Sequence, residues 1–205
     1  MEKYDYKYED TVGYCYPGTN VLKNKLGIKD DVSLTIAEKE ITSLKLLILY
    51  NMPLPVKYDF GGLCEIHKII FSDLYEWAGQ IRQGDFFSKG NSIFCRGQYI
   101  LKSADKIFSD LLKENYLIGL KKQIFIERMA YYMGEINALH PFREGNGRTL
   151  REYFRQLSIN ANYTLDFSET NNEKLLQADI EAFNGKYNGL IKILDKAIIV
   201  NGNGI

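Results

Sequence analysis

The sequence has no long hydrophobic run and no excess of charge of either sign. Its 26 Lys and Arg residues balance 26 Asp and Glu residues, so the formal net charge is zero. Balanced charge gives no general attraction to nucleic acid or to an acidic membrane surface, so we expect neither as a partner. The apolar segment 44–50 is far shorter than the roughly 20 residues that a membrane-spanning helix needs. We interpret it as the buried face of a helix.

Cysteine is also scarce, with only Cys15, Cys64 and Cys95 in the chain. An odd number of widely spaced cysteines argues against a disulfide framework or a zinc site, and favours buried thiols in a reducing compartment. The charged N-terminus, MEKYDYKYED, lacks the apolar core of a secretory signal. These absences predict a soluble cytoplasmic protein, although delivery by a specialised secretion system would leave no such signal.

The chain contains enough hydrophobic residues to form one core. Of the 205 residues, 45% are hydrophobic, and they include 15 Tyr and 11 Phe. The length and the lack of an internal repeat predict a Tyr-rich N-terminal arm over 1–30, a single domain over 31–200 and a frayed tail over 201–205. Apolar residues at helical spacing predict helices over about 31–50, 60–77, 103–115, 122–139, after Gly147 and over 190–200. In the first of these helices, Ile41, Leu44 and Ile48 are predicted to form one buried stripe.

The pattern of residues 84–100 differs from that of the helical segments on either side and predicts a β-hairpin in an otherwise helical chain. Phe87 and Phe94 belong to two strand-like segments, and Lys89-Gly90-Asn91 forms the turn between them. A lone hairpin leaves an edge of unpaired backbone groups, which can hold an extended segment of a partner by strand addition. The alternative is a connecting hairpin with a solvated lysine at its tip, and the hairpin sequence alone favours neither.

The side chains suited to catalysis or ligand binding are most concentrated in residues 140–151, HPFREGNGRTLR. Pro141 disfavours the helical conformation at His140, so a preceding helix should end there. Gly145 and Gly147 allow a ligand to approach the backbone closely, just before a helix begins. A glycine-rich turn at a helix N-terminus is a natural anion site.

The charged residues of this segment fit a polyphosphate and a metal ion. Arg148 and Arg151 lie three residues apart, on one face of the first helical turn, and their forked donors suit phosphate groups. Glu144 is a hard oxygen ligand of the kind that Mg²⁺ takes together with phosphates. His140 is the natural general base at neutral pH. An ordinary interhelical loop would need only one glycine and would not explain this clustering.

The segment resembles the signature of the Fic family, HxFx(D/E)GNGRxxR, and meets every fixed position of it. The resemblance implies a mainly helical fold with a small β-hairpin, the flap, over the active site. It implies a protein adenylyltransferase that moves AMP from ATP to a Ser, Thr or Tyr hydroxyl of a target protein, with Mg²⁺ as cofactor. The N-terminal arm is similar to that of a branch containing bacterial effectors and toxins regulated by a separate partner.

The same resemblance assigns residue roles. It implies His140 as the general base and Glu144 as the Mg²⁺ ligand. Asn137, by its position one turn before His140, is expected either to orient the histidine or bond the loop, or to be a simple polar residue at the helix end. The resemblance implies ATP and phosphate binding by Gly145, Asn146, Gly147, Arg148, Thr149, Leu150, Arg151, Lys89 and Gly90. It implies that the target docks on the flap at Phe87, Ser88, Lys89, Gly90 and Asn91. His67 and Arg82, earlier in the chain, are interpreted as structural.

Two other functions are compatible with the pattern. A Fic-fold variant reverses the nucleotide and transfers the γ-phosphate, and it carries lysine where this chain has Gly147. A catalytically silent binding module is the second alternative. Many Fic proteins also carry an inhibitory motif, (S/T)xxxE(G/N), but here only Ser72 and Glu76 have its spacing and Trp77 breaks it. We therefore expect any inhibitor to be a small separate protein that contacts Arg151.

Overall fold

Helices account for most of the structure, a computed structural model that describes residues 6–7, 13–51, 57–84, 87–89 and 92–201. Within those ranges the helices are α1 (Asp31–Asn51), α2 (Phe60–Phe71), α3 (Ile100–Lys113), α4 (Lys122–Leu139), α5 (Asn146–Asn160), α6 (Asn172–Phe183) and α7 (Asn188–Ala197). The predicted mainly helical fold class is confirmed. None of these helices is long and apolar enough to cross a membrane.

Helix α4 lies at the centre of the fold. It contacts α3, α5, α6 and α7, while α2 packs against α5 and α1. The side chains of Phe125 and Tyr132 on α4 and of Tyr153 and Phe154 on α5 are fully buried. The connection between α4 and α5, which carries the 140–151 segment, is therefore held between the main layers of the core.

The predicted hairpin is present as β2 (Ser88–Lys89) and β3 (Ser92–Ile93), paired antiparallel. Its expected isolation is wrong, because a short N-terminal strand, β1 (Tyr6–Lys7), pairs with β2. The sheet order is β1-β2-β3, so the chain's own N-terminal strand lies along the outer edge of β2. Adding a strand satisfies backbone groups that an isolated hairpin would leave unpaired. The expected turn residues Gly90 and Asn91 lie outside the described residues.

A second small sheet was not expected from the sequence. Strand β4 (Tyr163–Leu165) pairs antiparallel with β5 (Ile198–Val200). The last predicted helix, 190–200, is therefore too long, because α7 ends at Ala197 and the three β-branched residues that follow enter the sheet. Helix α2 is also shorter than predicted, since the chain turns after Phe71 rather than continuing to Trp77.

Helix α1 is present where predicted, but the predicted buried stripe is wrong. Leu44 is 63% exposed and Ile48 is 51% exposed, whereas the buried side chains are Leu34, Thr42 and Leu49. Nearly every residue of 44–50 is apolar, so the spacing of apolar residues cannot define one face there. The interpretation of 44–50 as a buried helix face is wrong for the same reason.

The described part of the N-terminal arm packs on the domain. Cys15 forms an isolated β-bridge with Leu22, and both side chains are buried. The Lys25 N–H donates to the Leu74 carbonyl across 2.8 Å. The three cysteines are free thiols, of which Cys15 is buried as expected, whereas Cys64 and Cys95 are partly exposed.

Removal of residues 1–12 tests the pairing of β1 with the hairpin. The shortened chain should exchange amide hydrogens of residues 87–89 faster, because the outer edge of β2 loses its neighbouring strand. Exchange within α5 should be unchanged and serves as the internal control. Equal protection of residues 87–89 in both chains would show that β1 contributes nothing to the sheet.

Candidate active site

His140 is the first residue after α4 and has a left-handed backbone, with φ 45° and ψ 61°. This conformation ends the helix and is uncommon for a residue other than glycine. Arg82 secures it from another part of the chain. The Arg82 Nε–H donates to the His140 carbonyl across 2.8 Å, and the Arg82 backbone N–H donates to the Pro141 carbonyl at the same distance. Arg82 therefore has a structural role, as interpreted from the sequence, and its partners are the carbonyls of His140 and Pro141.

The His140 imidazole is held on two sides. Its Nδ1 lies 3.3 Å from the carbonyl oxygen of Asn137, one turn earlier in α4. The Phe94 ring stacks on the imidazole with centroids 3.7 Å apart. A proton on Nδ1 would be donated to the Asn137 carbonyl, which places the basic lone pair on Nε2. Asn137 therefore orients the histidine through its backbone, and the hairpin touches the ring through Phe94.

The loop after His140 is closed by its own asparagine. The Asn146 side chain accepts from the Phe142 N–H across 2.9 Å and donates to the Phe142 carbonyl across 2.8 Å. Asn146 was expected to bind phosphate through its side chain, and the structure places that amide inside the loop instead. The contact between Asn146 and a nucleotide stays a prediction.

Gly145 has φ +81°, and a Cβ atom there would overlap the Phe71 ring. Thr149 lies one turn further along α5, where its buried hydroxyl donates to the Gly145 carbonyl across 3.0 Å. The Leu150 side chain is also buried. Thr149 and Leu150 thus support the loop from inside, and their predicted part in ATP binding is not visible in their side-chain contacts.

His67 supports the loop from α2, a role that sequence reasoning missed. The Gly79 N–H donates to His67 Nδ1 across 2.8 Å, so Nε2 carries the proton and donates to the Glu144 carbonyl across 3.0 Å. Burial lowers the pKa of His67 to about 4; the hydrogen bond to Glu144 opposes this shift and the charge of Arg148 adds to it. His67 is structural, as expected. Its partner Glu144 was missed because the two residues are 77 positions apart and no sequence spacing relates them.

The two arginines of the segment have different surroundings. The Arg148 guanidinium bonds Glu38 and Thr42 of α1 and lies over the Phe71 ring. The Arg151 guanidinium folds against Gly147, where a Cβ atom would lie 3.2 Å from Nη1. Burial lowers the pKa of Arg151, the charge of Asp179 opposes that shift and the charge of Arg148 reinforces it. A buried guanidinium beside a second cation favours an anionic ligand.

A cavity of about 230 Å³ adjoins both arginines. The side chains that line it are Leu46, Tyr50, Arg148, Arg151, Glu152, Arg155, Leu165, Asp166 and Phe167. No side chain caps the N-terminus of α5 within the described ranges. The backbone donors of this first turn are therefore not used by a side-chain cap, which is the arrangement that an anion site requires. Binding of an anion there stays a prediction.

Glu144 has its carboxylate on the partly exposed side of the loop. Its Oε1 accepts from the Gly145 N–H across 2.8 Å and lies 3.5 Å from Arg148 Nη2. Among the described residues there is no group of three or more His, Cys, Asp or Glu side chains that could bind a metal alone. One carboxylate fits Mg²⁺ when nucleotide phosphates supply further oxygens.

Of the predicted flap residues, Phe87 and Ser88 have buried side chains. The Arg82 guanidinium lies 4.9 Å from the centre of the Phe87 ring, so Phe87 anchors the hairpin to the domain. Ser88 pairs with Lys7 on one side and with Ile93 on the other, so β2 has no free edge within the described sheet. Docking of a target at Phe87 and Ser88 stays a prediction. Lys89 is in β2, and Gly90 and Asn91 fall outside the described residues.

Gly145→Ala tests the close approach of α2 to the loop. We expect a loss of roughly 2–5 kcal/mol in the free energy of unfolding, from the positive φ together with overlap on Phe71. Gly119→Ala is the matched control, because Gly119 has φ +80° and nothing within 4 Å of its Cβ position. It should lose only about 1–2 kcal/mol. Equal losses in denaturant titrations of the two variants would contradict the contact.

The pH dependence of stability tests whether His67 is buried in its neutral form. The folded pKa of His67, about 4, lies below the usual histidine pKa of 6.5, so the unfolded chain binds the additional proton between these two pH values. Stability should be complete above pH 6.5 and should fall by about 3 kcal/mol as pH decreases to 4. His67→Gln should lose this component when urea unfolding is measured at both pH values. An unchanged pH dependence in the variant would assign the acid sensitivity to other groups.

Comparison with known proteins agrees with this geometry. Residues 57–157 match the Fic/DOC family. The chain is 39% identical over 185 residues to "Probable protein adenylyltransferase Fic" of Salmonella typhimurium, covering 90% of this chain and 91% of that protein. It is 41% identical over 172 residues to "Protein adenylyltransferase VbhT" of Bartonella schoenbuchensis, covering 84% of this chain but only 36% of that longer protein.

Solved structures show the same fold. BepC of Bartonella tribocorum, with bound AMPPNP, superposes with a TM-score of 0.84 at 29% identity, covering 91% of this chain and 96% of that one. The N-terminal Fic domain of a Bartonella quintana effector, with bound ADP, gives 0.86 at 28% identity, covering 93% and 96%. The complete loop signature, the helical fold and the similarity over nine-tenths of the chain together show that this protein belongs to the Fic/DOC family.

Proposed function

We propose that the protein is a protein adenylyltransferase, which transfers AMP from ATP to a Ser, Thr or Tyr hydroxyl of a target protein. The observation that carries the proposal is the combination within one loop of an oriented histidine and an uncapped helix N-terminus flanked by Arg148 and Arg151. Relatives at 37–41% identity that are named adenylyltransferases support the same activity.

In this reaction His140 acts as the general base. Nε2 takes the proton from the target hydroxyl, because a neutral alcohol is a poor nucleophile. The hydroxyl oxygen then forms a bond to the α-phosphorus of ATP. The bond between that phosphorus and the oxygen bridging to the β-phosphate breaks, and pyrophosphate leaves with the electron pair. In-line placement of the hydroxyl and the α-phosphate is what the enzyme must supply.

The phosphates are assigned to the start of α5. Backbone N–H groups at Asn146 and Gly147 stabilise the α-phosphate as its charge develops, while the Gly145 N–H is bonded to Glu144. Arg148 and Arg151 bind the β- and γ-phosphates and stabilise the leaving group. Asn146 contributes by holding the loop closed, which follows from its two bonds to Phe142.

Glu144 is the residue that would hold Mg²⁺, and the ion supplies charge neutralisation on the α- and β-phosphates when bound. The carboxylate is partly exposed and is positioned by the Gly145 N–H. These features support a carboxylate that shares its ion with the nucleotide rather than one that binds a metal alone.

The absence of a side chain at position 147 supports adenylyl rather than γ-phosphoryl transfer. A Cβ atom at 147 would lie 3.2 Å from Arg151 Nη1, so the guanidinium packs closely against the glycine. The lysine found there in the phosphotransferase variant would have to share this space with Arg151. With glycine, Arg151 remains beside the helix N-terminus, where it binds the two leaving phosphates.

We also propose two protein partners. The target docks as an extended segment on the hairpin, next to Phe94 and hence next to His140. A separate inhibitor protein inserts an acidic side chain toward Arg151 through the 230 Å³ cavity, whose lining also includes the apolar side chains Leu46, Leu165 and Phe167. Because ATP is the co-substrate, we place the reaction in the cytoplasm of the producing bacterium or of a host cell that receives the protein.

Label transfer from ATP tests the activity. Proteins of a bacterial lysate should be labelled by ATP carrying the label at the α-phosphate and not by ATP carrying it at the γ-phosphate. His140→Ala should reduce the labelling at least about 100-fold, as for loss of a general base. Label from the γ position would identify a phosphotransferase, and no label from either position would favour the silent binding module.

The absence of a matching inhibitory motif predicts that the purified chain is active alone. Glu76 is the only glutamate with part of the motif spacing, and its carboxylate is 86% exposed, 3.5 Å from Lys25. Glu76→Gly should therefore leave the self-labelling or target-labelling rate unchanged. A large increase in rate would show that the brake lies within this chain.

A further inference from the structure

Helix α1 reaches into the phosphate side of the site, although it lies outside the segment that matches the family. Arg148 Nη2 donates to Glu38 Oε1 across 2.5 Å, and Nη1 donates to Thr42 Oγ1 across 3.1 Å. Glu38 and Thr42 are 110 and 106 residues away from Arg148 in the sequence. One helix face thus binds both terminal nitrogens of a single guanidinium.

The Glu38 carboxylate is itself fixed. Its second oxygen, Oε2, accepts from the hydroxyl of Tyr75, whose side chain is only 1% exposed. Burial and the Glu38 charge raise the pKa of Tyr75 far above its usual range, so the hydroxyl remains a donor. Thr42 is also fixed, because its hydroxyl donates to the Glu38 carbonyl across 2.7 Å.

A further contact holds the flat face of the guanidinium, in addition to the 3.5 Å approach of Glu144 Oε1 to Nη2. Arg148 Cζ lies 4.8 Å from the centre of the Phe71 ring. The side chains of Arg148 and Glu38 are 23% and 16% exposed, so water screens their attraction only partly. Two of the five N–H donors of Arg148 are used by α1, which leaves donors for a ligand.

We propose that Glu38, Thr42 and Tyr75 are positioning residues that hold Arg148 in the orientation in which it binds the β- and γ-phosphates of the nucleotide. This inference rests on the proposed function. A free arginine side chain would lose rotamer entropy when it binds phosphate, and here the fold has already ordered it. The Glu38 charge also offsets the repulsion between Arg148 and the nearby Arg151.

The opposite role for Glu38 is competition with phosphate for Arg148. A competing carboxylate would have to move away when the nucleotide binds. Glu38 is bonded through both oxygens, and its partner Tyr75 is in the core, so the geometry favours a fixed support over a removable block.

Nucleotide binding tests the inference. Isothermal calorimetry would compare an ATP analogue with a carbon bridge between the α- and β-phosphates against AMP, both with Mg²⁺. Glu38→Ala should weaken the ATP analogue about tenfold to 100-fold and leave AMP unchanged. Glu38→Gln should recover part of the loss, because its amide oxygen still accepts from Arg148. Glu40→Ala is the control, since Glu40 is exposed on the same helix.

Each other outcome has a definite meaning. Tighter binding of the ATP analogue by Glu38→Ala would show competition, and no change would show that Glu38 has no role. Equal weakening of AMP would indicate general damage to the fold. In an Arg148→Ala background, Glu38→Ala should add no further loss, and an additional loss would mean that Glu38 does not act through Arg148. If Arg148→Ala itself binds the analogue normally, the proposed phosphate role of Arg148 fails instead.

Discussion

The connection between α4 and α5 lies inside the core, and its buried backbone constrains the residues packed around it. Buried backbone groups need hydrogen-bond partners, and six residues between the two helices provide few of their own. The partners come from Asn146 within the loop, from His67 on α2 and from Arg82 beyond it. The absence of a side chain at Gly145 then allows α2 to approach through Phe71. The loop geometry is thus a consequence of core packing, not a property of the loop alone.

This constraint divides the polar groups of the site into two sets. Asn146, Thr149 and His67 use their polar atoms on the loop itself, so they fix its shape. The N-terminal turn of α5 and the Arg151 guanidinium lie toward the cavity and remain available to an anion. A preformed arrangement of this kind stabilises a transition state because little reorganisation is needed during the reaction.

The sequence was informative wherever a local pattern determines structure. The bounds of α4 followed from apolar periodicity and Pro141, and the start of α5 followed from the glycines. The anion site was predicted from the same local chemistry, and binding of phosphate there stays a prediction. The position of His140 at a helix end, next to a hairpin, also agreed with expectation.

The sequence failed where distant contacts decide the outcome. The two partners of Arg148 on α1, Glu38 and Thr42, lie more than 100 residues away, and no periodicity relates them to it. The buried face of α1 was assigned wrongly because that face carries Glu38 and Thr42, while apolar Leu44 and Ile48 face outward. The strand β1 could not be foreseen, because strand addition depends on the three-dimensional position of an edge. His67 was recognised as structural, but its partner in the motif loop was not.

The central claim is that the fold forms the site before the nucleotide arrives. Crystal structures of the chain with and without an ATP analogue would test it most directly. The account predicts that phosphates occupy the start of α5, that residues 140–148 move by less than about 1 Å, and that Arg148 remains bonded to Glu38. A loop that rearranges on binding, or phosphates bound away from the α5 N-terminus, would contradict it.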